Sequence, residues 1–246
     1  MNILITNDDG IYSHGLQSLA LVAREFGTVH IVAPDVEQSS MGHAITHVRP
    51  LRMRRTDVAG FDGLRVNGTP ADCATLGCHL HRIDVVLSGV NLGPNIGNAM
   101  WHSGTLAAAK QAALLGLRGI AISTFTHDER DEYDFEALRP HIRDALALLL
   151  PLDDLALVNV NLPPDPHGTA WARQSVRHYD GRVVPGHDPM GREHYWVTVQ
   201  PILPPARKRS TGWSQRRSSP RPRAVSGPAA SFSTTVLLAL WPTRPR

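Results

Sequence analysis

Short apolar, β-branched runs alternate with longer segments of helical spacing over the first two-thirds of this chain. Asn2 to Thr6 (NILIT) reads as a strand that ends at Asn7-Asp8-Asp9-Gly10. From Gly15 to Phe26, Leu16, Leu19, Ala20, Val22 and Ala23 share one helical face, and Gly27 stops the helix. Val29 to Ala33 is a second buried strand, followed by Pro34. Strand, helix and strand in that order predict a parallel pair with a right-handed crossover. Thr69, Pro70 and Asp72 mark a helix start as N-cap, first helical residue and acid at the positive end. Further strands are predicted at Asp84–Ser88, Gly119–Ser123 and Leu155–Asn161, and further helices at Leu106–Leu115 and Glu136–Leu150. Between Ala44 and Asn67 the pattern changes, and Leu51–Arg55 and Leu64–Val66 predict extra strands outside the main sheet. After Gly168 the alternation ends. Arg173–Arg177 and Tyr195–Val199 predict strands of an antiparallel extension, with a turn at Asp188-Pro189-Met190-Gly191. The expected architecture is an α/β core over about 1–165, its mostly parallel sheet flanked by helices, plus a β-rich extension over about 166–200.

Composition narrows the class. The 246 residues allow one large domain or two small ones, and a 42% hydrophobic fraction supports a substantial core. No apolar run is long enough to predict a membrane-spanning helix, and no signal peptide is predicted at the N-terminus. Cys73 and Cys78 fall on one predicted helix and read as reduced thiols of a cytoplasmic protein. The net charge of +3 misleads. Nine of the 25 Lys and Arg residues lie beyond Pro201 and no acid follows Glu193, so residues 1–200 carry 16 basic against 22 acidic groups, a net of −6. The body of the protein is acidic, and no binding of nucleic-acid polymers is inferred.

The candidate chemistry lies where the predicted strands end. Ligands of open α/β sheets bind beyond the carboxyl ends of the strands. Asp8 and Asp9 stand there, two adjacent carboxylates whose repulsion a cation relieves. The same four residues, Asn-Asp-Asp-Gly, also suit a plain turn. Ser39, in the loop after the second strand, offers a hydroxyl to a metal or a phosphate, or simply to solvent. Gly89 to Asn98 holds three glycines and three asparagines, among them Asn91 and Asn95; their amides ligate metal or phosphate without adding charge. Ser103-Gly104-Thr105 opens the Ala-rich helix, an ordinary cap and also the geometry of an anion site.

Five segments then occur in order and at suitable spacing: ITNDDG, APDVEQSSMGHAIT, VNGTPADC, DVVLSGVNLGPNIG and SGTLAAA. Together with SVRHYDGRVV and DPMGREHYW they resemble the SurE family of metal-dependent survival-protein nucleotidases, over roughly residues 1–200. The resemblance implies a Rossmann-like core and a cytoplasmic homodimer or homotetramer. It implies hydrolysis of nucleoside 5′- and 3′-monophosphates, and of short polyphosphate, with one divalent cation, Mg²⁺ or Mn²⁺. By motif it assigns Asp8, Asp9, Ser39 and Asn91 as metal ligands, and Asn95, Ser103, Gly104 and Thr105 to the phosphate site. The chemistry that follows is attack of a metal-activated water, with Asp8 or Asp9 accepting a proton. An aspartyl-phosphate route is the weaker variant, and a nucleotide- or phosphate-binding module without catalysis is the alternative.

Other assignments fit less well. A receiver domain needs an acid where the asparagine-rich loop stands. A haloacid-dehalogenase-type phosphatase needs Asp-x-Asp rather than adjacent acids. No Gly-x-Gly-x-x-Gly follows the first strand, which argues against a dinucleotide-binding dehydrogenase. Beyond Val199 the resemblance stops, and residues 201–246 become rich in Arg, Pro and Ser. That composition predicts disorder, and its abrupt onset reads as a shifted reading frame, with a natural basic tail that contacts anionic partners as the alternative. In that reading the apolar run Thr235 to Trp241 is an orphan prone to aggregate.

Overall fold

The computed structural model describes residues 1–125, 133–163, 166, 168–172, 179–201 and 236–242. The chain begins with strand β1 (Asn2–Thr6), helix α1 (His14–Ala23) and strand β2 (Thr28–Pro34). An antiparallel hairpin, β3 (Met53–Val58) and β4 (Phe61–Val66), leads to α2 (Pro70–Leu80). Strand β5 (Val85–Leu92), a 3-10 helix (Gly97–Trp101), α3 (Gly104–Leu114) and β6 (Arg118–Thr124) follow. Then come α4 (Arg139–Leu149), β7 (Leu155–Leu162) and the short β8 (Thr169–Ala172). The last elements are β9 (Tyr179–His187), β10 (Glu193–Pro201) and β11 (Val236–Pro242).

Nine strands form one sheet in the order β3-β4-β2-β1-β5-β6-β7-β11-β8, and β9 and β10 form a separate antiparallel pair. From β4 to β7 every neighbour is parallel. The order reverses on either side of β1, between β2 and β5, which is where an open sheet leaves a crevice at its carboxyl edge.

Alternation along the strands sorts the core into two layers. Ile3 and Ile5 of β1, Val85 and Leu87 of β5, and Ile120 and Ile122 of β6 pack with Leu16, Leu19, Ile142, Leu146 and Leu149 of α1 and α4. On the opposite face Leu4, Val32 and Val86 meet Cys73, Ala74, Ala108 and Ala112 of α2 and α3. The alanines let α3 lie flush on the sheet: a Cβ on Gly119 of β6 would stand 2.1 Å from the Ala109 carbonyl oxygen. Each buried Leu or Ile contributes about 1.5–3 kcal/mol by leaving water.

Four expectations change. The strands expected outside the main sheet belong to it, because β4 pairs with β2 through Ile31–Pro34 and carries β3 at the edge. The loop expected from Gly89 begins later, because β5 continues to Leu92. Its register shifts between Ser88 and Asn91, and Gly89 sits at φ +139° with the Ile122 carbonyl oxygen 2.2 Å from where a Cβ would be. Only glycine fits there. The apolar run expected to be an orphan is β11, which pairs antiparallel with β7 and parallel with β8. The predicted 136–150 helix starts at Arg139. The antiparallel extension holds at β9 and β10, whereas the strand expected at Arg173–Arg177 and most of the tail, 202–235 and 243–246, lie outside the described residues. Among the described residues no helix is long and apolar enough to cross a membrane.

One cap ties the fold to the carboxyl edge. Thr69 and Asp72 form a capping box at the start of α2. The Thr69 hydroxyl also donates to the Ala44 carbonyl at 2.7 Å, and Asp72 accepts the Thr46 N–H at 2.9 Å. The cap thereby anchors the long loop after β2. Thr69→Ala is expected to cost about 1–2 kcal/mol, a Tm drop on the order of 2–8 °C, read by thermal unfolding.

Candidate active site

Asn7 closes β1. Its amide donates to the Gly10 carbonyl at 3.0 Å and to the Ser13 hydroxyl at 2.7 Å, so the turn and the α1 cap are set together. Asp8 comes next and is only 4% exposed. The Thr105 hydroxyl donates to its Oδ1 at 2.5 Å, and the backbone N–H groups of Gly104 and Thr105 are directed at the same carboxylate. A Cβ at Gly104 would lie 2.7 Å from the Asp8 Cβ and 2.9 Å from its Oδ2. Glycine is therefore what lets the N-terminus of α3 reach Asp8.

These donors stabilise the carboxylate, yet burial outweighs them and the Asp8 carboxyl is held above its ordinary range. Asp9, less buried, is pushed up to about 7, first by burial, then by the charges of Asp8 and Glu37. No cationic side chain figures among the influences on either group, and neither takes part in an ion pair among the described residues. The two acids are thus short of positive charge.

The loop after β2 docks onto this edge through Gln38, whose N–H donates to the Asp8 carbonyl at 2.7 Å. Ser39 is exposed, and its hydroxyl donates to Glu37 Oε1 at 2.7 Å, which leaves the oxygen lone pairs available. His43 reaches Gln111 of α3 at 2.8 Å, fixing the far end of the loop. Asn91 lies at the end of β5, beside β1. Its amide NH₂ donates to the Gly93 carbonyl at 2.7 Å, so its Oδ1 is the acceptor left over.

Asn95 goes elsewhere. It is buried, its N–H donates to Asn161 Oδ1 at 2.8 Å and its amide to the Ser123 hydroxyl at 2.7 Å, while Asn159 and Asn161 both donate to its carbonyl. It anchors the asparagine-rich loop to β6 and β7. Ser103 caps α3, accepting the Leu106 N–H at 3.0 Å, and its own O–H remains free to donate.

The structure therefore gathers Asp8, Asp9, Gly104 and Thr105 into direct contact or charge coupling. It brings the Ser39 loop and the Asn91 strand end to the same edge, with no hydrogen bond from either side chain to the aspartates. Sequence reasoning missed Glu37, although it stands two residues before Ser39. It also missed Asn159 and Asn161, polar residues two apart on a buried strand. That spacing was the available signal.

A divalent cation fits this chemistry by donor type. Two carboxylates, a hydroxyl and an amide carbonyl are all hard oxygens. Among the described residues no three His, Cys, Asp or Glu side chains converge as a metal cluster, so such a site relies on two acids supplemented by neutral oxygens. A cleft lined by Met1, Asp84, Gly116, Arg118 and Leu150 opens at the opposite, amino end of the strands, but it lacks the adjacent buried carboxylates.

The chain is similar to known proteins over most of its length. The family described as "Survival protein SurE" matches residues 3–181. The 5′-nucleotidase SurE 1 of Thermus thermophilus is 44% identical over 211 residues, 82% of each chain. The 5′-nucleotidase SurE of Deinococcus radiodurans is 44% identical over 204 residues, 79% of this chain and 75% of that one. The crystal structure of a SurE protein from Aquifex aeolicus superposes with a TM-score of 0.71 at 30% identity, covering 99% of this chain and 94% of that one.

The raised carboxyls have a measurable consequence. Between the ordinary carboxylate range and about pH 7, the folded metal-free protein holds protons that the unfolded chain has lost. Stability in EDTA should therefore fall as pH rises through that window and level off above it. Asp9→Asn should flatten the fall and raise the Tm in EDTA at pH 8. Equal slopes for the two proteins across pH 5–8 would exclude this account.

Proposed function

The chain belongs to the SurE family, and on that premise we propose that it is a 5′-nucleotidase. In this reading it is a metal-dependent phosphomonoesterase acting on nucleoside 5′- and 3′-monophosphates, with short polyphosphate as a further substrate. The observation that carries the reading is the pair of uncompensated carboxylates, Asp8 and Asp9, at the switch point of the sheet beside the N-terminus of α3.

Asp8, Asp9, Ser39 and Asn91 would hold one divalent cation, Mg²⁺ or Mn²⁺. When bound, such an ion neutralises phosphate charge and makes water a stronger nucleophile at neutral pH. The chain's own groups do the rest. Ser103 has a free O–H to offer a phosphate oxygen, and the positive end of α3 adds to the local field. Gly104 and Thr105 contribute by fixing Asp8. Asn95 shapes the phosphate pocket by holding the loop that bounds it. The buried, hydrogen-bonded Asp8 is poorly exposed as a nucleophile, which supports attack by water with an aspartate accepting the proton.

The same reading makes the chain a homodimer or homotetramer. The β9–β10 hairpin carries Val183, Tyr195, Trp196 and Val197 with 61–73% of their surface exposed, and a two-stranded ribbon is marginal alone in water. It also makes the protein cytoplasmic, in keeping with two free thiols, Cys73 and Cys78. The nucleotidase domain spans residues 1–200, with β11 added to its sheet, and the basic stretch before β11 is read as the product of a shifted frame.

Phosphate release from nucleoside monophosphates tests the proposal, measured with Mn²⁺ or Mg²⁺ and with EDTA. Release is expected to need the metal and to fall at least about 100-fold in Asp8→Asn, the scale of losing a group that holds transition-state charge. Metal-tight nucleotide binding without release would instead identify a binding module.

A further inference from the structure

We propose that Trp101 is the residue on which the nucleobase stacks. This inference rests on the nucleotidase reading and adds how that site recognises the rest of the substrate. Trp101 ends the 3-10 helix Gly97–Trp101 and is 63% exposed. It stands two residues before Ser103, the cap of the helix that holds Asp8. Two residues of chain span at most about 7 Å, which puts the Trp101 backbone within a ribose's reach of the Ser103 end of the proposed phosphate site.

The ring is braced. Lys110 of α3 places its ammonium 5.3 Å from the ring centroid and donates to the Met100 carbonyl at 3.4 Å. A cation at this distance is attracted to the face of an indole and favours that ring orientation. The backbone of the loop after β2 meets the same segment of chain. Gly42 N–H donates to the His102 carbonyl at 3.0 Å, and a Cβ on Gly42 would lie 3.4 Å from the Trp101 carbonyl oxygen. That loop carries Ser39, and its Met41 and Ile45 are each about half exposed. The Trp101 segment thereby touches both the loop that bears one proposed ligand and the helix that positions another.

Among the described residues, the other tryptophans with comparable exposure, Trp171 and Trp196, lie on β8 and β10. A nucleoside monophosphate combines a charged phosphate with a flat base one sugar away. The site described above satisfies the phosphate, and an exposed, oriented indole satisfies the base. Stacking accepts any base and favours the larger purines, so the structure assigns breadth with a purine preference rather than hydrogen-bonded selection.

The test compares 5′-AMP with ribose 5-phosphate, which lacks the base. Steady-state kinetics on the metal-loaded wild type, Trp101→Phe and Trp101→Ala should show kcat/KM for AMP falling on the order of 5- to 100-fold in Trp101→Ala, with Trp101→Phe retaining most of it. Turnover of ribose 5-phosphate should not change. Equal loss on both substrates, or no loss on AMP, overturns the proposal. Calorimetric binding of the same two ligands reads the stack without turnover: wild type should prefer AMP, and Trp101→Ala should lose that preference. If wild type binds AMP through Trp101 but releases no phosphate, the nucleotidase reading fails and the stack stands. If Trp101→Ala changes only the oligomeric state, the tryptophan is a subunit contact and the stack fails.

Discussion

A carboxylate buried against the positive end of a helix governs this structure. Asp8 accepts the Thr105 hydroxyl and faces the first N–H groups of α3. For that contact to exist, residue 104 must lack a Cβ, and α3 must lie close on the sheet, which its alanines and Gly119 permit. A helix N-terminus stabilises an anion by about 0.3–2 kcal/mol. Here that is less than the opposing effect of burial, because the carboxyl still lies above its ordinary range. The arrangement fixes Asp8 in place without satisfying its charge, and Asp9 beside it worsens the deficit. A site of this kind is organised before a cation arrives and gains from its arrival.

Much of this was legible in the sequence, for identifiable reasons. The strands β1, β2, β5, β6 and β7 are short apolar runs bounded by turn residues, and the helices carry their own caps at Ser13, Thr69 and Ser103. The carboxyl-edge placement of Asp8, Ser39 and Asn91 follows from strand order alone. Three features were not legible. The strands β3 and β4 are half-polar strands at one end of the sheet, with β3 at its edge, so their pattern says strand without saying which sheet. The reach of β5 past Ser88 depends on a register shift that a run of Gly and Asn conceals. The pairing of β11 with β7 joins residues as far apart in sequence as Leu155 and Pro242, and local pattern carries no such information.

The site shows the same division. Residue types announced which atoms could bind a cation or an anion, but not which were already engaged. Asn95, grouped by sequence with Asn91, proves to be a structural bracket to β6 and β7, while Asn91 keeps a free acceptor. Both are asparagines in one loop, and only the partners on Ser123, Asn159 and Asn161 separate them.

The Ser103-Gly104-Thr105 segment carries this furthest. Read as a strip of sequence, it is a phosphate cradle. In three dimensions Gly104 and Thr105 face Asp8, and Ser103 alone retains a free hydroxyl donor. A helix N-terminus that holds a carboxylate has fewer N–H groups to give a second anion. In the proposed reading, phosphate affinity would come chiefly from the cation and from few direct donors, which does little to separate one phosphate ester from another. Discrimination would then arise farther out, where a substrate leaves the polar site. The rim there is formed by the Ser39 loop and the 3-10 helix before α3, and it includes an exposed indole with a lysine against its ring.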